Sequence, residues 1–103
     1  MIVIFMSFLW VDGLALYPFV ILKARNPPAY LINHERIHLR QQLEMGLLLF
    51  YIWYMFEFML RYYKHKNPYL AYRNISFERE AYANDEKLDY LTKRKFWGFW
   101  KYI

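Results

Sequence analysis

Residues 29–45 read Ala-Tyr-Leu-Ile-Asn-His-Glu-Arg-Ile-His-Leu-Arg-Gln-Gln-Leu-Glu-Met. The stretch holds neither Pro nor Gly, and Pro27-Pro28 stand just before it. Proline is tolerated in the first helical turn, so a helix is predicted to start near Pro28 and run through Ala29–Met45. Within it lies His34-Glu35-Arg36-Ile37-His38, an HExxH match. On a helix, positions i and i+4 share one face, about 6 Å apart along the axis. Two imidazoles placed that way can converge on one Zn²⁺. The Glu after the first His points toward the same cleft, where it can take a proton from metal-activated water. Only three His occur in 103 residues, so a chance match is rare. The competing reading makes His34 and His38 ordinary helix residues, with Glu35 facing solvent.

Toward the C-terminus, Gly46 marks either a bend or a point the helix passes through into Leu47–Tyr63. Lys64-His65-Lys66-Asn67-Pro68 stops that stretch, with cations at the C-terminal end of the helix dipole. Gly46–Tyr63 reads as a buried core helix or as a membrane-embedded continuation. Its short length and Glu57 favour the core reading. A short segment, Tyr69–Arg73, leads to Ser76, a good N-cap for a helix over Phe77–Leu91.

Toward the N-terminus, two apolar runs, residues 2–11 and 14–23, flank Asp12-Gly13. That pair between apolar runs predicts a two-residue hairpin turn. Pro18 cannot donate to a ladder, so the second strand should be an edge strand or carry a bulge. The alternative is one buried helix, which Asp12-Gly13 and Pro18 disfavour.

A metal site of this kind needs a third ligand. Glu78, Glu80, Glu86, Asp85, Glu44, Glu57 and His65 all qualify by residue type. Residues 39–44 read Leu-Arg-Gln-Gln-Leu-Glu, which lacks the Gly and third His of the metzincin pattern. Residues 80–84 read Glu-Ala-Tyr-Ala-Asn. This resembles the glutamate-helix motif of thermolysin-like and membrane-associated gluzincins. The chain as a whole resembles the minigluzincins, single-domain proteins of about this length.

The resemblance implies an α+β, mostly α, single domain over residues 1–103. It would comprise an N-terminal β-hairpin, an active-site helix, a glutamate helix and a C-terminal aromatic tail. It implies zinc held by His34, His38 and Glu80, with Asn84 buttressing a histidine where the family usually has Asp. Glu35 would be the general base of an endopeptidase acting on a peptide or protein substrate. The cleft would be roofed by an edge strand within Leu14–Lys23, to which a substrate strand adds antiparallel. Tyr72, Tyr82, Tyr90 and His65 are the candidates for stabilising the oxyanion. The family also implies latency, with the C-terminal segment covering the cleft. The plainer reading is that Phe96, Trp97, Phe99, Trp100 and Tyr102 complete a thin core. A second function class is a non-catalytic membrane- or protein-binding module with a structural zinc. The intact Glu35 favours the enzyme.

Composition bounds the rest. Hydrophobic residues make up 58% and aromatics 23% of the chain, and much of that excess is Tyr and Trp, which tolerate interfaces. There is no Cys, which excludes disulfide scaffolds and thiolate metal sites. The net charge of +5 permits contact with anionic membranes or nucleic acid. The basic residues form no long stripe, so no nucleic-acid partner is expected. No Lys or Arg precedes the first apolar run, so a secretory signal is not expected. The expected location is cytoplasmic, or peripheral on a membrane through the basic and aromatic C-terminal tail.

Overall fold

The computed structural model describes residues 1–103. The HExxH segment lies in helix α1 (Ala29–Met45), as its composition predicts. Gly46 ends it with φ of 80°, a value that suits glycine. Helix α2 (Leu47–His65) departs there, bent by 112° from α1. Gly46 is therefore a corner. No single helix is long and apolar enough to cross a membrane.

Helix α2 closes at Lys66, a left-handed residue whose N–H donates to the Tyr62 carbonyl. A short helix α3 (Pro68–Arg73) follows, with the Asn67 side chain accepting the Leu70 N–H at 3.0 Å. Helix α4 spans Ser76–Asn84, and a single turn, α5, spans Tyr90–Lys93. The chain finishes in a 3₁₀ helix over Gly98–Tyr102.

Three short strands precede the helices: β1 (Ile2–Phe5), β2 (Gly13–Leu16) and β3 (Phe19–Leu22). They form one sheet in the order β1-β3-β2, with β1 parallel and β2 antiparallel to β3. A hairpin is present, but it is β2 with β3, turning at Tyr17-Pro18; the chain does not fold back at Asp12-Gly13, and the first apolar run pairs parallel to β3 instead. Pro18 sits in that turn, and the strand after it is the central one. Gly13 has no positive φ, so turn geometry is not its purpose. A Cβ there would lie 3.3 Å from Glu35 Cγ and 3.2 Å from Leu22 Cδ2. Gly13 lets the strand lie close over α1 at Glu35.

The helix expected over Phe77–Leu91 is shorter and is capped differently. It ends at Asn84, and Ser76 is its first residue. The Ser76 side chain caps nothing; its hydroxyl donates to Glu57 Oε2. Glu57 Oε1 also accepts the Ser76 N–H at 2.9 Å, and Oε2 accepts Trp53 Nε1 at 2.8 Å. A carboxylate reaching over from α2 thus does the capping, at the positive end of the α4 dipole.

Two apolar clusters hold the elements together. Met45, Phe50, Ile75, Phe77 and Phe99 pack α1, α2, α4 and the C-terminal segment. Ala15, Val20, Leu22 and Leu39 pack the sheet on α1. Phe99 is fully buried and Trp97 packs against its cluster, whereas Phe96 and Trp100 are exposed, so the aromatic tail joins the core only in part; none of residues 96–103 lines the cleft beside His34.

Candidate metal centre

Helices α1 and α4 bring three donor atoms together. His34 Nε2 lies 3.2 Å from His38 Nε2 and 3.2 Å from Glu78 Oε1. His38 Nε2 lies 3.1 Å from the same oxygen. All three side chains are buried. Glu35 is buried beside them, its carboxylate within 4.8 Å of the two imidazoles' ligating nitrogens.

The far side of each imidazole fixes its tautomer. His34 Nδ1 lies 3.0 Å from Asp85 Oδ2. His38 Nδ1 lies 2.8 Å from Gln41 Oε1. The Gln41 amide donates to the Phe77 carbonyl and to Glu80 Oε1, so its oxygen must face His38. Both Nδ1 atoms therefore carry protons, and both Nε2 lone pairs point inward. Two lone pairs and a carboxylate oxygen converge on one point. Only a positive charge satisfies them, either a proton or a metal ion.

In the metal-free chain a proton does so. Burial opposes the charged imidazolium of His38, but the Glu78 carboxylate outweighs it and pushes the group up to about 9. Burial likewise works against the Glu78 carboxylate, and the charges and hydrogen bonds of His38 and His34 reverse that, holding it well below its usual range. Burial pushes Glu35 up, against the pull of His38 and His34. Glu35 Oε2 is buried and has no hydrogen-bond partner.

The donor triangle fits zinc. Ligands at 2.0–2.1 Å in a tetrahedron sit about 3.3 Å from one another, close to the spacing of these three atoms. The third member is Glu78, and the structure does not bring Glu80 to the imidazoles. Glu80 faces the other way, fully buried, bonded to Arg94, to the Tyr90 hydroxyl at 2.6 Å and to Gln41. Its nearest link to the cluster is through Gln41. Asn84 does not buttress a histidine either. Its amide donates to the Glu80 carbonyl and the Tyr102 hydroxyl, and Asp85 occupies the supporting position. Of the other acids weighed, Glu44 pairs with Arg94, Glu57 caps α4, and Glu86 is exposed.

Glu78 and Asp85 were among the residues the sequence offered, without a signal that chose Glu78 over Glu80. They stand seven residues apart, two helical turns, and so share a face as one α4 and its exit. Gln41, one turn after His38, and Gly13 carried no such signal.

The donors open onto a cavity of about 840 Å³, bounded by α1, α2, α3, α4 and β2. Tyr72 and Tyr82 stand on its wall, their hydroxyls 2.8 Å apart. The Tyr82 ring packs edge-on against His34, with the Arg73 guanidinium 3.7 Å from the ring centre. Tyr54, missed in the sequence, donates to Glu78 Oε2 at 2.9 Å. Burial raises all three phenols, which keeps them as proton donors. His65 ends α2 and does not line the cavity, and Tyr90 is committed to Glu80.

Strand β2 forms the roof. Asp12 bonds across to Lys23, and alternation along an antiparallel ladder turns the backbone groups of Gly13, Ala15 and Tyr17 to the free edge. The Ala15 carbonyl accepts from Gln42 and Tyr51, and the Tyr17 N–H donates to Gln42. Gly13, directly over Glu35, has no such cover among these side-chain hydrogen bonds. Compared with known proteins, the chain matches no family model, no curated protein and no solved structure.

Proposed function

We propose that this protein is a zinc-dependent peptidase, with His34, His38 and Glu78 holding the metal and Glu35 acting as general base. The observation that carries the reading is the convergence of two tautomer-fixed imidazole lone pairs and one carboxylate oxygen beside an unpartnered carboxylate. Zinc, when bound, supplies the Lewis acidity that acidifies water and polarises a carbonyl.

The chain's own residues supply the rest. Glu35 accepts the proton from the attacking water and delivers it to the leaving amine. Its raised affinity for protons suits both directions of that transfer. Asp85 and Gln41 hold the imidazoles in the ligating tautomer. Tyr72 and Tyr82 present neutral hydroxyls at the cavity wall, where a developing oxyanion needs donors. The exposed edge at Gly13 offers a backbone rung to an extended substrate. Trp10, Leu14, Tyr30, Tyr51 and Tyr69 give the cavity an aromatic and apolar lining, which favours large apolar substrate side chains.

A structural zinc site uses four protein ligands, whereas three donors converge here and the fourth neighbour is Glu35. This favours an enzyme over a zinc-stabilised binding module. The test is metal content and peptide cleavage in parallel. The purified chain should hold one zinc and cleave an unstructured peptide rich in aromatic residues. Glu35→Gln should keep the zinc and lose about 10²–10⁴ in rate. A Glu35→Gln chain that cleaves as fast as the parent would sink the reading.

A further inference from the structure

Helix α2 is turned inside out relative to a helix on a water-facing surface. Leu48, Ile52, Met55, Phe56, Met59 and Tyr63 follow the spacing of one helical face, and all six are exposed, from 58% to 78%. No charged residue interrupts them. The charges at mid-helix face inward: Glu57 is buried on Ser76 and Trp53, and Arg61 leans on Glu57 at 3.8 Å. The stripe runs about 22 Å along the axis, far too continuous for scattered surface residues.

The surrounding charge says what covers it. Five of the nine acids, Glu35, Glu57, Glu78, Glu80 and Asp85, are buried, and only Asp12, Glu86 and Asp89 are exposed. Ten of the fourteen Lys and Arg residues are exposed. The outer surface is thus more cationic than the net charge of +5 suggests. Lys64 and Lys66 stand at the end of the stripe, with Lys66 Nζ 4.6 Å from the Tyr63 ring centre. A second copy of so cationic a chain is repelled, whereas an anionic lipid surface is attracted.

We propose that the outer face of α2 docks flat into the headgroup–acyl boundary of an anionic phospholipid bilayer. The apolar side chains enter the acyl region, and Tyr63, Lys64 and Lys66 meet the headgroups. The inner face of α2 is fixed to the body by Phe50 and Glu57, so the helix lies along the surface and does not cross it. Tyr51 and Tyr54 on that inner face line the cavity, so docking holds the cavity about 10 Å, one helix diameter, from the lipid. The inference stands independently of the peptidase reading.

The test is co-sedimentation of the full chain with vesicles of phosphatidylglycerol and phosphatidylcholine in equal parts. The parent should pellet with them, and bind phosphatidylcholine vesicles alone much more weakly. The Phe56→Glu/Met59→Glu double variant alters only exposed side chains, so it should keep the parent's circular dichroism. It should bind the mixed vesicles about tenfold more weakly or worse. In an Ile52→Trp variant, the added indole should shift its emission to the blue on vesicle addition. Equal binding of parent and double variant would overturn the proposal. So would a parent that ignores vesicles but forms a dimer that the double variant dissolves, since a second copy would then cover the stripe.

Discussion

At the scale of single residues, the choice between Glu78 and Glu80 separates the sequence from the structure. Two positions apart on a helix, they point about 200° from each other, so only one can face the histidines. Which one does depends on how α4 is rotated, and Glu57 and Arg94 set that from far along the chain. Local pattern gave His34, Glu35 and His38, because i and i+4 spacing is local. It could not give the third donor for the opposite reason. Glu78→Ala should abolish stoichiometric zinc binding, whereas Glu80→Gln should keep it; elemental analysis after desalting distinguishes them. Asp85→Ala should leave zinc bound but about 10–100-fold more weakly, measured by competition with a chromogenic chelator. Glu35 gives a stability prediction with a definite sign. Its carboxyl is raised above the ordinary 4.5 by burial. Such a group contributes stability that is present below the unfolded value and lost as pH climbs through the folded one. At neutral pH the unfolded chain has ionised this carboxyl while the fold disfavours its charge, so the metal-free chain is less stable there than it is below the unfolded value. Glu35→Gln should melt higher than the parent in chelator at pH 7, and the gain should vanish near pH 4.

At the scale of elements, the structure keeps what composition and breakers could specify and shifts what depends on tertiary contact. Helix α1 has the limits its sequence implies, and Gly46 and Pro68 punctuate where punctuation was expected. A hairpin was legible, but not its strands: it was expected between the two apolar runs, whereas both its strands, β2 and β3, come from the stretch after Asp12, with the turn at Tyr17-Pro18. The parallel pairing of β1 with β3 was invisible, since parallel pairing leaves no turn signature. Helix α4 owes its start to Glu57, which satisfies the Ser76 N–H, the Ser76 hydroxyl and Trp53 at once. Glu57→Ala should leave those buried donors unpaired and cost about 3 kcal/mol in urea denaturation. It should weaken zinc binding as well, because Glu78 lies two residues beyond the capped end.

At the scale of the whole molecule, part of the aromatic excess forms a core that joins the C-terminal segment to α2 and α4. Phe99 packs on Phe77, with ring centres 4.6 Å apart, and Trp53, Trp97 and Trp100 gather around it. Phe99→Ala should cost about 3–5 kcal/mol. Removal of residues 96–103 should give an unfolded or aggregated product, and not a more active one, as circular dichroism and gel filtration would show. Arg94, its side chain 1% exposed, sits between Glu80 and Glu44, and the Trp97 N–H donates to Glu44. That clasp has a consequence in time. As the chain is synthesised, every donor of the metal triangle has been made by residue 78 and the support at Asp85 soon after, yet Arg94 and Phe99 have not. Until they emerge, Glu80 and Glu44 lack their cation and α4 lacks the ring that seats Phe77. The nascent protein thus owns all the proposed ligands well before it can hold them in place, and the chemistry proposed for them waits until Arg94 and Phe99 have emerged.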